Sequence, residues 1–162
     1  MSAALQFTAG GVPDCPPQIP DALDTRENIL RLEAACRDMP QVDCPLTHHY
    51  APGLYAREIF IPAGSIVVGK IHKHAHINVI SHGSAIVVTE FDRVRVIAPY
   101  TFVSQPGTKR TLIAETDLVW TTIHTNEDEC RDVEEIESRL IAPDYAAIGI
   151  EGRPATVLEF KQ

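Results

Sequence analysis

Four of the chain's seven histidines, His72, His74, His76 and His82, fall within residues 64–83, between two runs rich in β-branched apolar residues. In an extended strand, side chains two apart share a face. Lys70, His72 and, if the strand runs on, His74 and His76 then point the same way. Imidazoles converging from short strands can hold a divalent metal, with nitrogen about 2.0–2.1 Å from zinc. A lone strand histidine is ordinarily a surface group or a hydrogen-bonded core group. Several side by side repel one another once protonated and pack poorly, which favours a metal or ligand role for the cluster.

Short strands must position these side chains. From Leu54 onward the apolar pattern has period two or forms brief continuous runs, giving candidate strands at 54–61, 65–71, 76–81, 84–90, 93–97, 100–103, 110–114 and 118–124. Turn residues separate them: Pro62-Ala63-Gly64, His82-Gly83-Ser84, Phe91-Asp92, Gln105-Pro106-Gly107 and Glu115-Thr116-Asp117. Many short strands at regular spacing mean a sandwich or barrel. Before them, Asp24 and Glu27 have capping-box spacing, and Ile29, Leu32 and Cys36 recur at helical intervals up to Pro40. This predicts a helix over about 25–38 that docks on the barrel. Asp132 and Glu135 open a second helix, 132–141, with Val133, Ile136 and Leu140 on one face. Residues 1–23, rich in proline with Gly10-Gly11, read as an extended or disordered arm, and 155–160 as a possible edge strand.

Composition narrows the function. At 162 residues the chain fits one domain, here 24–162, with 22% charged and 44% hydrophobic residues. A net charge of −8 argues against nucleic acid as the main partner. No apolar run has membrane-spanning length and no signal peptide is evident, so no membrane partner is expected. Cys15, Cys36, Cys44 and Cys130 form no C-x-x-C pair and suit a reducing cytoplasm. There is no P-loop, no G-x-G-x-x-G and no G-x-S-x-G.

At residues 50–125 the sequence resembles the cupin superfamily, whose first motif reads G-(x)5-H-x-H-(x)3,4-E-(x)6-G. Gly64, Lys70, His72, His76 and Gly83 keep every spacing. The second motif, G-(x)5-P-x-G-(x)2-H-(x)3-N, is matched in spacing by Pro99, Gln105, Gly107, Arg110 and Ala114. The resemblance implies an all-β fold, the double-stranded β-helix or jelly-roll barrel, with one short helix before it and another after. The stretches H-H-Y-A-P-G-L-Y-A-R-E-I, I-P-A-G, P-G-T-K-R and V-W-T-T-I-H-T also look like a group of small single-domain cupins of tailed phages and bacteria. That group implies a bacterial or phage-infected cytoplasm and no particular activity.

Cupins hold a metal with three histidines and a glutamate, and here those four places carry Lys70, His72, His76 and Arg110. His72 and His76 are therefore the first candidate ligands. His124, which shares a strand face with Trp120 and Thr122, or His74 between the motif positions, can supply another. The metal would be iron, manganese, nickel or zinc. Lys70 and Arg110 bring positive charge that favours a small anionic ligand, with Trp120 and Tyr100 as further lining residues. Glu90 or Tyr100 can serve as acid or base. His82 is expected to be exposed in its turn, and His48 and His49 to cap the barrel or lie on the surface.

Three functions follow. The first is a metal-dependent cupin enzyme of isomerase, lyase or dioxygenase type acting on a small anion. The second is a metal-free binding module or sugar-type isomerase, with a histidine base and a Lys70/Arg110 anion clamp. The third is a structural or assembly protein with a vestigial site. Edge-strand pairing common among cupins implies a homodimer.

Overall fold

The computed structural model describes residues 4–5 and 26–149. In chain order the elements are β1 (Ala4–Leu5), α1 (Arg26–Arg37), β2 (Leu46–Ala51), β3 (Gly53–Ile61), β4 (Ile66–Val68), β5 (Ile71–His72) and β6 (His76–His82). Then come β7 (Ser84–Thr89), β8 (Arg93–Ile97), β9 (Tyr100–Ser104), β10 (Arg110–Ala114), β11 (Leu118–Asn126), α2 (Val133–Leu140) and β12 (Ile141–Ala142). A 3-10 turn at Ala146–Ile148 follows. The expected edge strand at 155–160, Asp24, Cys15 and most of the N-terminal arm lie outside the described residues.

Two five-stranded antiparallel sheets form the body, ordered β1-β4-β10-β7-β8 and β2-β3-β11-β6-β9. The chain crosses between them repeatedly: β3 lies in one, β4 in the other, β6 back in the first, and so on to β11. That crossing order is a jelly roll. A separate pairing joins β12 to β5, with Ile141 opposite His72.

Alternation sorts the side chains. On β4, Val67 joins the interior cluster with Ile61, Ile80, Val87, Leu112, Leu118 and Trp120. Its neighbours Ile66 and Val68 face outward and receive Ile29, Leu32 and Cys36 of α1. The amphipathic helix thus docks on the barrel as its spacing required, and each buried large aliphatic contributes about 1.5–3 kcal/mol. Asp132 caps α2, its Oδ1 accepting from the backbone N–H groups of Glu134 and Glu135.

Three departures bear on the site. The run expected at 65–71 is two strands, because after Gly69, whose N–H still donates to the Arg110 carbonyl, the chain leaves β10 and then pairs with β12. An additional strand, β2, precedes the first expected one. A register shift between Val119 and Trp120 breaks the ladder of β6 and β11, so exposed His82 lies opposite Val119 while Ile80 and Asn78 stay opposite Trp120 and Thr122.

Candidate metal centre

Inside the barrel, one end is aliphatic and the other polar. β6 turns His76, Asn78 and Ile80 inward, and β11 turns Trp120 and His124 inward, all of them buried. β3 does the same with Tyr55 and Ile61, placing Arg57 on that face between them. Short β5 contributes His72.

His72, His76 and His124 meet at the polar end, with one ring nitrogen from each within 4.8 Å of the other two. The ring centroids are 4.1 Å apart for His72 and His76, 4.7 Å for His76 and His124, and 5.1 Å for His72 and His124. Each is buried, with relative exposures of 9%, 5% and 5% in chain order. A shared ion about 2.0–2.1 Å from each nitrogen would draw them to within about 4.2 Å of one another.

Burial is the main force on their protonation. It lowers His72 to about 2, helped by His76, His124, Arg57 and Arg110. His76 is lowered to about 4 by burial, against the raising effect of its bond to the His74 carbonyl. Burial and the charge of His76 bring His124 to about 3. All three are neutral imidazoles at neutral pH, the form that binds metal.

The tautomer of His76 is fixed. Its Nδ1 lies 3.2 Å from the carbonyl oxygen of His74, which can only accept, so Nδ1 carries the proton and Nε2 is left as a ligand atom. His72 Nδ1 is buried with no hydrogen-bond partner. A buried orphan nitrogen costs about 1–3 kcal/mol unless something outside the chain satisfies it. The donor set therefore fits a borderline divalent ion such as zinc, iron or nickel.

The other expected site residues fall as follows. His74 is exposed, because the chain bends at Lys73 and His74 and β6 begins only at His76. Its carbonyl, rather than its ring, serves the centre. Arg110 reaches inward, donating from Nη2 to Ser104 Oγ and lying 5.4 Å from the Phe102 ring and 5.8 Å from the Trp120 ring. Burial pulls it down to about 10, so it remains a cation at neutral pH. Trp120 donates from Nε1 to Asn78 Oδ1 at 2.9 Å, and Asn78 Nδ2 donates to Ser104 Oγ at 2.7 Å. This polar chain forms the floor between the histidines and the aliphatic core.

Lys70 does not stand free. Its Nζ is 3.0 Å from both carboxylate oxygens of Glu137 on α2. Tyr100 packs on Phe102 within the core, and Glu90 is bound by Arg26 on another part of the surface. His48 accepts or donates at Nδ1 to the Tyr55 hydroxyl at 2.7 Å, while His49 is exposed.

Sequence reasoning missed Arg57, Glu137, Asn78 and Ser104. Arg57 was accessible to it, since Tyr55, Arg57, Ile59 and Ile61 alternate along one strand face. Glu137 carried no such signal, being one of several acids on a solvated helix. A cleft of about 320 Å3, lined by His74, Thr125, Asp128, Ile136, Arg139 and Leu140, opens beside the His124 end of β11.

No protein-family model and no curated protein matches the chain. Solved structures do resemble it. A cupin 2 domain-containing protein from Halorhodospira halophila aligns at a TM-score of 0.47 and 16% identity, over 65% of this chain and 74% of that one. A cupin superfamily protein from Desulfitobacterium hafniense aligns at 0.45 and 7%, over 57% and 85%. An RmlC-like cupin from Shewanella frigidimarina aligns at 0.44 and 16%, over 54% and 77%. No helix among the described residues is long and apolar enough to cross a membrane. The chain's own strand order makes it a jelly roll, the fold expected from its motif spacing.

Proposed function

We propose that this protein binds one divalent metal through His72, His76 and His124, and that the metal and nearby cations together take a small anionic molecule. The observation that carries the reading is the buried, neutral three-histidine cluster with an unpartnered nitrogen on His72. When bound, such a metal supplies Lewis acidity at the coordination positions the protein leaves open. His76 is held in its ligating tautomer by the His74 carbonyl. Arg110 and Arg57 lie close enough to lower the histidines' proton affinity, and at neutral pH they also repel a bare cation. An anion bound alongside the metal offsets that repulsion, so the two ligands should assist each other.

Two observations weigh against the other functions. A general base works best with a pKa near the operating pH, and these histidines lie at about 2 to 4. A purely structural barrel would gain more from apolar side chains than from three desolvated imidazoles. The reading also keeps the protein in a reducing cytoplasm, consistent with the unbridged thiols of Cys36, Cys44 and Cys130.

Cobalt substitution tests it. Untagged protein loaded with Co(II) should give visible bands of an imidazole-ligated, low-coordinate ion, shifting when a small anion is added. The spectrum of hexaaqua cobalt alone would sink the reading.

A further inference from the structure

Glu137 is held by two cations that come from different elements and converge at the histidine end of the barrel. Its Oε1 accepts from Arg57 Nη1 at 2.9 Å and from Lys70 Nζ at 3.0 Å, and its Oε2 accepts from Lys70 Nζ at 3.0 Å. Arg57 lies on β3 opposite Thr122, two residues from His124, and Lys70 precedes His72 by two. We propose that Arg57 and Lys70 are a carboxylate-binding subsite of the histidine centre, and that Glu137 of α2 occupies it until a small carboxylate takes its place. The proposal rests on the anion half of the reading above.

The present occupant identifies the chemistry. Both oxygens of a planar carboxylate are engaged, and guanidinium and ammonium donors approach at charge-assisted distances. Two cations share one acid, and Arg110 has no acid partner among the described ion pairs. Positive charge therefore remains in excess around the histidines, and a dicarboxylate would neutralise more of it than Glu137 does.

The helix is lightly packed on the barrel. α2 has eight residues and buries only Ile136. Beyond the Glu137 contacts it is tied by its Asp132 cap, by surface pairing of Arg139 with Asp128 and Glu135, and by Lys73, whose Nζ donates to the Ser138 carbonyl and whose N–H donates to that of Leu140. Segments with few buried contacts open at low cost. The glutamate side chain is 35% accessible, so a ligand can reach it from solvent. Because β12 pairs with β5 at Ile141 and His72, displacement of α2 is felt at the metal-ligand strand.

Malonate binding to metal-free full-length protein tests this, with inorganic phosphate in parallel. Glu137→Gln should bind malonate on the order of tenfold more tightly than wild type, since the two cations are then free. Adding Arg57→Leu to that variant should abolish the gain. Equal malonate affinity in wild type and Glu137→Gln, or a gain for phosphate alone, would overturn the proposal. Should Glu137→Gln fail to fold, hydrogen exchange of the wild type decides: malonate should speed exchange over residues 134–140, and unchanged protection there contradicts the displacement. Metal stoichiometry is read separately on the same protein. Its absence counts against the histidine centre alone, because the malonate titration needs no metal.

Discussion

The rings of His72 and His124 lie parallel within 2° at a centroid separation of 5.1 Å, although one sits on a two-residue strand and the other near the end of a nine-residue strand. Stacked neutral imidazoles offer each other no in-plane hydrogen bond, so the pair does not satisfy its own nitrogens. His72 is anchored instead through its backbone, with its carbonyl accepting from the Gly107 N–H at 2.9 Å and its strand paired to Ile141. A ring so held, with Nδ1 unpartnered, is placed for an external group.

That burial has a cost in acid. The three histidines titrate near 6.5 when unfolded, but at about 2, 4 and 3 in the metal-free fold. Between those limits the unfolded chain binds more protons, so stability is full above about pH 6.5 and falls as pH drops. At pH 5 each histidine removes about 2 kcal/mol, together about 6 kcal/mol against a total stability of about 5–15 kcal/mol. Urea midpoints of metal-free protein should therefore fall steeply from pH 7 to pH 5. His72→Phe should flatten that slope; a slope unchanged by the substitution contradicts the burial argument.

The strand pattern was legible because one face of each strand is buried, which imposes period two. β2 escaped notice since Thr47, His48, His49 and Tyr50 show no apolar alternation; its order comes from pairing with β3. The break after His72 was equally hidden, and it decides which histidines meet. Had the strand continued, His74 would share a face with His72; the bend turns it out to solvent. His124 was found by alternation with Trp120. Nothing near Lys70 in the sequence points to its partner, because Glu137 lies far along the chain on a separate element.

The floor of the site should prove structural. Asn78→Ala removes the acceptor of the Trp120 indole and a donor to Ser104. We expect a loss of about 2–4 kcal/mol from unsatisfied groups and a small cavity. Trp120 is the sole tryptophan, so its fluorescence in urea reads the change directly.

The two glycines that open and close the first motif should differ. Both have positive φ, +76° at Gly64 and +86° at Gly83. A Cβ at Gly64 meets open space, whereas at Gly83 it would lie 2.0 Å from the Asp117 carbonyl oxygen. Gly64→Ala should cost about 1 kcal/mol, and Gly83→Ala about 3 kcal/mol or more. Thermal melts of the two variants provide the comparison.

Metal and anion should bind cooperatively. Arg110 and Arg57 disfavour positive charge at the histidines, so malonate should raise zinc affinity roughly tenfold and zinc should raise malonate affinity by the same factor. Arg110→Met should strengthen zinc binding without anion and shrink the coupling. Calorimetric titrations in both orders check the reciprocity.

The most direct measurement is elemental analysis of untagged protein after exposure to zinc, iron, manganese or nickel and removal of excess ion. Wild type and His74→Ala should each retain about one metal per chain, while His72→Ala, His76→Ala and His124→Ala should each lose it. No retained metal in the wild type, or retention undiminished in all three of those variants, would contradict a three-histidine centre.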